Sequence, residues 1–178
     1  MSVPTFPNYI NGAWVEGALF ENRNPANTAE GVGLHAGGAP ADVARAAAAA
    51  EAALPAWSAM NGPARGALLF KVADLLEARF EQISAEMTRE EGKTLPEAKG
   101  EVRRSINIFR YFAGEGSRLA GVMAPSERPR VHMFAIRKPG GVAALITPWN
   151  FPSAIPAWKL APALICGNTV VMKPASAA

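Results

Sequence analysis

The chain has 178 residues, 49% hydrophobic and 19% charged, which is the balance of a soluble globular protein rather than a disordered or fibrous one. Lys and Arg number 18 against 15 Asp and Glu, a net charge of +3, but the basic residues are dispersed and not interleaved with aromatics, so a solvated surface is expected rather than a nucleic-acid partner. No run approaches the roughly 18 apolar residues of a membrane span. Residues 1–9 lack the pattern of a secretory leader, and a cytoplasmic location is expected. The lone Cys166 forms no internal disulfide, and with only His35 and His132 beside it no metal site is expected.

In chain order, Asn11-Gly12 between the apolar flanks Tyr9-Ile10 and Ala13-Trp14-Val15 predicts a hairpin, because both turn positions need positive φ. Residues 40–53, nearly all alanine, predict a surface helix with a small-residue face. From Pro63, the series Leu68, Leu69, Val72, Leu75 and Leu76 lays an apolar stripe along a helical region that Gly92 ends. A further helix starts at the capping box Thr94-x-x-Glu97, and Val102, Ile106, Phe109 and Phe112 continue its buried face. Gly114-Glu115-Gly116 follows a helical pattern rather than a strand, so it reads as a helix C-terminal turn with glycine in the left-handed conformation, not as a phosphate loop.

Residues 123–139 alternate and carry Pro125, Pro129 and Pro139, which suits an edge ribbon. After the Pro139-Gly140-Gly141 turn, Val142-Ala143-Ala144-Leu145-Ile146 is a continuous apolar run, expected of a strand covered on both faces. Residues 153–166 predict a helix closed by Gly167 and Asn168, and Thr169-Val170-Val171-Met172 a second buried strand. Strand, helix, strand is the opening unit of a doubly wound parallel sheet, whose ligands bind at the carboxyl ends of the strands. Those ends are Thr147-Pro148-Trp149-Asn150 and Lys173-Pro174-Ala175-Ser176.

The run Thr147-Pro148-Trp149-Asn150-Phe151-Pro152, then Trp158-Lys159-Leu160-Ala161-Pro162-Ala163-Leu164, Gly167-Asn168-Thr169-Val170-Val171 and Lys173-Pro174, resembles the aldehyde dehydrogenase superfamily. The resemblance extends back through Tyr111-Phe112-Ala113-Gly114 and Glu91-Gly92-Lys93 to Asn11-Gly12, and is closest to the branch that oxidises semialdehydes such as α-ketoglutarate semialdehyde. It implies a reaction in which a cysteine thiolate attacks the aldehyde, hydride passes to NADP or NAD, and a glutamate-activated water releases the acid. It also implies that the family's nucleophile, general-base glutamate and pyrophosphate turn fall beyond Ala178, so this polypeptide alone is expected to be inactive.

By the same resemblance Asn150 donates its side-chain amide to the developing oxyanion, an interaction worth about 2.7–4 kcal/mol in comparable sites. Read from the residues alone, it would instead cap the following helix. Lys173 is implied to hold the adenosine ribose, and Ser176 stands where NAD-preferring relatives often carry an acid that repels a 2′-phosphate, which favours NADP. Ile146, Thr147 and Trp149 are implied to line the cofactor cleft, with strand-end packing as the alternative. Phe151, Ala154 and Trp158 fall on one helix face and resemble the apolar wall of the aldehyde tunnel, with core packing as the rival. Alignment on Tyr111-Phe112-Ala113-Gly114 brings Gly100 and Arg104 opposite them, where Arg104 could fork to a substrate carboxylate or simply lie on the surface. Cys166, at the end of its helix, is a structural thiol.

The expected architecture is α/β: the N-terminal part of an aldehyde dehydrogenase fold, with helices and the opening strand–helix–strand unit of a Rossmann-like sheet. Residues 1–121 form the hairpin and helices of the cofactor-binding domain, 122–139 a bridging and oligomerisation ribbon, and 140–178 the first strand–helix–strand. The resemblance implies a small aldehyde as substrate and a homodimer or homotetramer. A non-catalytic binding or assembly module derived from the same fold is the alternative.

Overall fold

In the computed structural model the described residues are 3–176, so residues 1–2 and 177–178, the outer ends of the first and last expected segments, lie outside them. The Asn11-Gly12 turn forms as its residue types require, with φ of 53° and 76°, and joins β2 (Asn8–Ile10) to β3 (Ala13–Val15) as an antiparallel hairpin. Around it lies a small sheet that the sequence reading did not anticipate. Its strands are β1 (Thr5–Phe6), β4 (Leu19–Arg23) and β5 (Gly31–Ala36), in the order β1-β5-β4 with β1 parallel and β4 antiparallel to β5. Leu19-Phe20-Glu21-Asn22-Arg23 has no two-residue alternation, and β5 carries two glycines; pairing across the sheet, not local pattern, makes these strands.

Helix α1 (Pro40–Ala59) runs six residues beyond the expected 40–53 and passes through Pro55. Proline removes one ladder bond. The last turn is nonetheless anchored, because the Trp57 indole donates to the Leu164 carbonyl at 3.1 Å. The region from Pro63 to Gly92 is two helices, α2 (Gly62–Ala78) and α3 (Phe80–Glu91), and Gly92 ends the second with φ of 88°. The buried stripe of α2 is rotated part-way from the one the leucines suggested: Leu69 is buried and Val72 and Leu76 pack against the core as expected, but Ala73 joins them and Leu68 and Leu75 are exposed. Small residues decide this. A methyl group on Gly66 would overlap the Ala113 carbonyl oxygen, so the glycine face, not the leucine-richest one, sets the close approach to α4 (Leu95–Glu115).

Helix α4 begins at its capping box, where the Glu97 carboxylate accepts from the Thr94 backbone N–H at 3.0 Å and from its hydroxyl at 2.7 Å. Its face of Ala98, Val102, Ile106, Phe109 and Ala113 is the centre of the core, and Phe112 packs half-buried against it. The helix ends in the Gly114–Gly116 turn as expected, but Gly116 has a right-handed φ of −54°. The reason for glycine there is close approach, not positive φ: a side chain on Gly116 would collide with the Gly62 carbonyl, and the reverse holds for Gly62.

The ribbon is β6 (Val122–Pro125) paired antiparallel with β7 (His132–Ala135), exposed at every position. Beyond it, β8 (Val142–Ile146), α5 (Ala154–Ile165) and β9 (Thr169–Lys173) form the expected unit, with the strands parallel from Val142↔Thr169 to Ile146↔Lys173. Ala157, Ala161 and Ile165 of α5 enter the α2–α4 core. The expectation that β8 is covered on both faces is not met: Val142, Ala144 and Ile146 are exposed and only Ala143 and Leu145 are half-buried. Among the described residues, one face of the strand pair has no covering layer.

The dispersed basic residues are not all surface solvation either. Arg65 is 6% exposed, its Nε donates to the Ile165 carbonyl at 3.0 Å and an Nη reaches the Met60 carbonyl. One guanidinium thus takes up orphan carbonyls at the C-terminal ends of α1 and α5 together.

Candidate active site

The carboxyl ends of β8 and β9 bring the expected cofactor residues to one edge. Ile146 pairs with Lys173, and the Thr147 N–H donates to the Lys173 carbonyl at 3.4 Å. Thr147 is buried, whereas Ile146 is 76% exposed and Trp149 also lies open. The Lys173 ammonium donates to the Pro174 carbonyl at 2.8 Å and to the Ser176 hydroxyl at 3.2 Å, so these two polar groups stand side by side on the edge. Exposed donors beside an open apolar strand end suit ribose or phosphate oxygens above and a planar ring against the ledge.

Between β8 and α5 the chain turns through Asn150. It does not cap α5, whose N-cap is Ser153, so the local role that the residue type suggested is not used. The turn is held instead from α4 and the loop before it. Glu101, with 1% of its side chain exposed, accepts the backbone N–H groups of Ser153 at 2.7 Å and Ala154 at 3.0 Å. Its other oxygen is paired with Lys93, which also meets Glu91 at 2.9 Å and donates to the Asn150 carbonyl at 3.2 Å. Burial works against the charge on Lys93, but the carboxylates of Glu101 and Glu91 outweigh it and hold the ammonium above its ordinary value. The ammonium also lies 5.0 Å from the centre of the Phe151 ring.

In the sequence Lys93 stands within Glu91-Gly92-Lys93 without an assigned role, and Glu101 has none. A signal existed: Glu101 interrupts the buried face of Ala98, Val102 and Ser105, where a carboxylate requires partners.

Of the expected tunnel residues, Gly100, Arg104 and Trp158 line one open groove with Asn107 and Tyr111. The Arg104 guanidinium lies 5.7 Å from the Trp158 ring centre. Among the described residues no carboxylate pairs with Arg104, whereas its neighbour Arg103 is engaged by Glu77. Ala154 is fully buried and Phe151 sits over Lys93, so neither lines that groove. Cys166 is half-buried at the opposite end of α5, roughly 18 Å along the helix axis from the Asn150 turn at 1.5 Å per residue. Among the described residues no cluster of three or more His, Cys, Asp or Glu is placed to hold a metal, and no helix is long and apolar enough to cross a membrane.

Residues 14–178 match the sequence model of the Aldehyde dehydrogenase family. The chain belongs to the aldehyde dehydrogenase family. It is 51% identical over 175 residues to the alpha-ketoglutaric semialdehyde dehydrogenase of Bacillus subtilis, covering 97% of this chain and 36% of that protein. Its fold superposes on the crystal structure of an E. coli NADP dependent enzyme with a TM-score of 0.94 at 36% identity, over 97% of this chain and 36% of the other. PnpE in complex with nicotinamide adenine dinucleotide is similar at a TM-score of 0.89 and 35% identity, over 93% of this chain and 34% of that one. The chain therefore spans little more than a third of the length of the aldehyde dehydrogenases it matches. The expected fold class, the N-terminal part of this family's α/β fold, is the one found.

Proposed function

We propose that the intact protein oxidises a semialdehyde acid to the corresponding carboxylic acid with NADP or NAD, and that this chain contributes the oxyanion donor, part of the cofactor edge and one wall of the substrate groove. The observation that carries the reading is Arg104: a guanidinium with no carboxylate partner among the described residues, in a groove shared with Gly100 and Trp158, one turn from the Glu101 that holds the Asn150 turn. A cation left unpaired beside an aromatic ring suits a carboxylate on the far end of the substrate. The likeness to an alpha-ketoglutaric semialdehyde dehydrogenase supports the same class of substrate.

Asn150 supplies a neutral amide donor for the oxygen that becomes negative when the aldehyde carbon is attacked. Lys173 and Ser176 hold the cofactor's ribose end, Ile146, Thr147 and Trp149 flank it, and the serine in place of an acid admits a 2′-phosphate. The nicotinamide, when bound, is the hydride acceptor. Trp158 shields the approach to the aldehyde, while Ala154 acts by packing and Phe151 lies against the Lys93 ammonium. Cys166 is a structural thiol, too far along α5 to attack a carbonyl held by Asn150, and the 178-residue polypeptide alone is read as inactive. The exposed ribbon at 122–139, bridging the helical part at 1–121 and the strand–helix–strand part at 140–178, supports assembly into a homodimer or homotetramer.

The test is steady-state turnover of α-ketoglutarate semialdehyde and propanal by the full-length protein and its Arg104→Ala variant. Loss of a charge-assisted bond of about 1.5–3 kcal/mol should raise KM for the acid more than tenfold and leave propanal little changed. Equal effects on both aldehydes would remove the semialdehyde-acid assignment.

A further inference from the structure

The turn that carries Asn150 is pinned by groups remote in sequence. The N–H groups of Ser153 and Ala154 open α5, where helix geometry leaves them without partners. The N-cap Ser153 makes no side-chain capping bond, and its hydroxyl is instead 2.8 Å from that of Ser105. A local Ser, Thr or Asp cap would satisfy such groups without cost to the core. Here the task falls to Glu101, which lies inside the packed face of α4 and takes both N–H groups on one oxygen. The second oxygen is occupied by Lys93, whose ammonium also bonds the Asn150 carbonyl at 3.2 Å. The Lys93–Glu101 pair, with Glu91 as a second carboxylate on the same ammonium, therefore grips the turn at both ends, the peptide of Asn150 and the start of the helix three residues later. A remote cap does what a local one cannot: it fixes where the turn stands relative to α4 and its groove.

We propose that Lys93 and Glu101 are positioning residues that set the direction of the Asn150 side-chain amide toward the substrate oxygen. The proposal rests on Asn150 being the oxyanion donor. Neither residue touches the substrate. Their effect is felt only through Asn150, and that separates them from residues that merely hold the fold.

The measurement is kcat of the full-length protein as a double-mutant cycle. Lys93→Met is expected to lower kcat about 100-fold, the cost of a misplaced catalytic group, with the cofactor dissociation constant unchanged. In an Asn150→Ala background the same substitution should lower kcat by no more than about twofold, because the group it positions is gone. If Lys93→Met does not accumulate as folded protein, the isosteric Glu101→Gln is measured in the same cycle, with an expected loss of about tenfold that Asn150→Ala again absorbs. Losses that multiply with Asn150→Ala, or a wild-type kcat in the single variants, overturn the positioning role. A wild-type kcat in Asn150→Ala itself overturns the oxyanion assignment on which it rests, so the two failures are told apart.

Discussion

At the scale of single residues, polar groups in this chain are governed by whom they meet. Lys173 and Ser176 differ from any surface pair only in standing 3.2 Å apart at the carboxyl end of a parallel strand. If Ser176 admits a 2′-phosphate, a carboxylate in its place should repel one. Ser176→Glu in the full-length protein is expected to lower the ratio of kcat/KM for NADP over NAD at least about tenfold, through like-charge juxtaposition. Competition between the two cofactors at fixed aldehyde reads this, and an unchanged ratio would detach Ser176 from cofactor choice. Lys93 and Arg65 make the complementary point: both are cations whose heads are taken up by partners remote in sequence, which a reading of their own neighbourhoods does not supply.

At the scale of elements, caps and close approaches set the helices. The Glu97 carboxyl at the start of α4 is held below its ordinary value by bonds from the Thr94 hydroxyl and then the Thr94 backbone N–H. A depressed folded-state value means that the contribution is present above the unfolded carboxyl value of about 4.3 and is lost as pH falls through the lower folded value. The difference in thermal midpoint between wild type and Glu97→Gln should therefore be constant near neutrality and shrink in acid. A gap that persists below that range would mean the cap does not depend on the charge. Gly62 and Gly116 meet backbone to backbone where α2 begins and α4 ends. Gly62→Ala must push these ends apart and is expected to cost about 1–3 kcal/mol, the range for overpacking, read as a fall in the urea midpoint. A neutral result would show that the ends yield freely.

At the scale of the whole molecule, the ribbon and the strand pair are two of the places where apolar side chains lie open. The ribbon exposes Val122, Met123 and Phe134, and the strand pair exposes Ile146 and Met172. Open strand edges and apolar faces recruit partners. The 178-residue polypeptide expressed by itself is expected to bind a hydrophobic dye and to self-associate in light scattering. A dye-silent monomer would show that these faces need no cover. The same view explains why β8, an uninterrupted apolar run, is half open here: a run of that texture is written for a sheet with layers on both faces, and among the described residues only one is present.

Local chemistry was enough to determine the Asn11-Gly12 hairpin, the capped start and buried stripe of α4, the edge ribbon and the strand–helix–strand unit, because each segment carries its own periodicity, cap or turn residues. The ordered motifs around Asn150 and Lys173 likewise sufficed for the family. What only the tertiary structure decided is which groups meet across distance. The β1-β5-β4 sheet, the rotation of α2 onto its glycine face, the burial of Arg65 and the grip of Lys93 and Glu101 on the Asn150 turn join residues up to 100 positions apart. Periodicity records which face of a helix is buried; it carries no record of the partner. A carboxylate on a buried face announces that a partner exists, and only the packed fold names it.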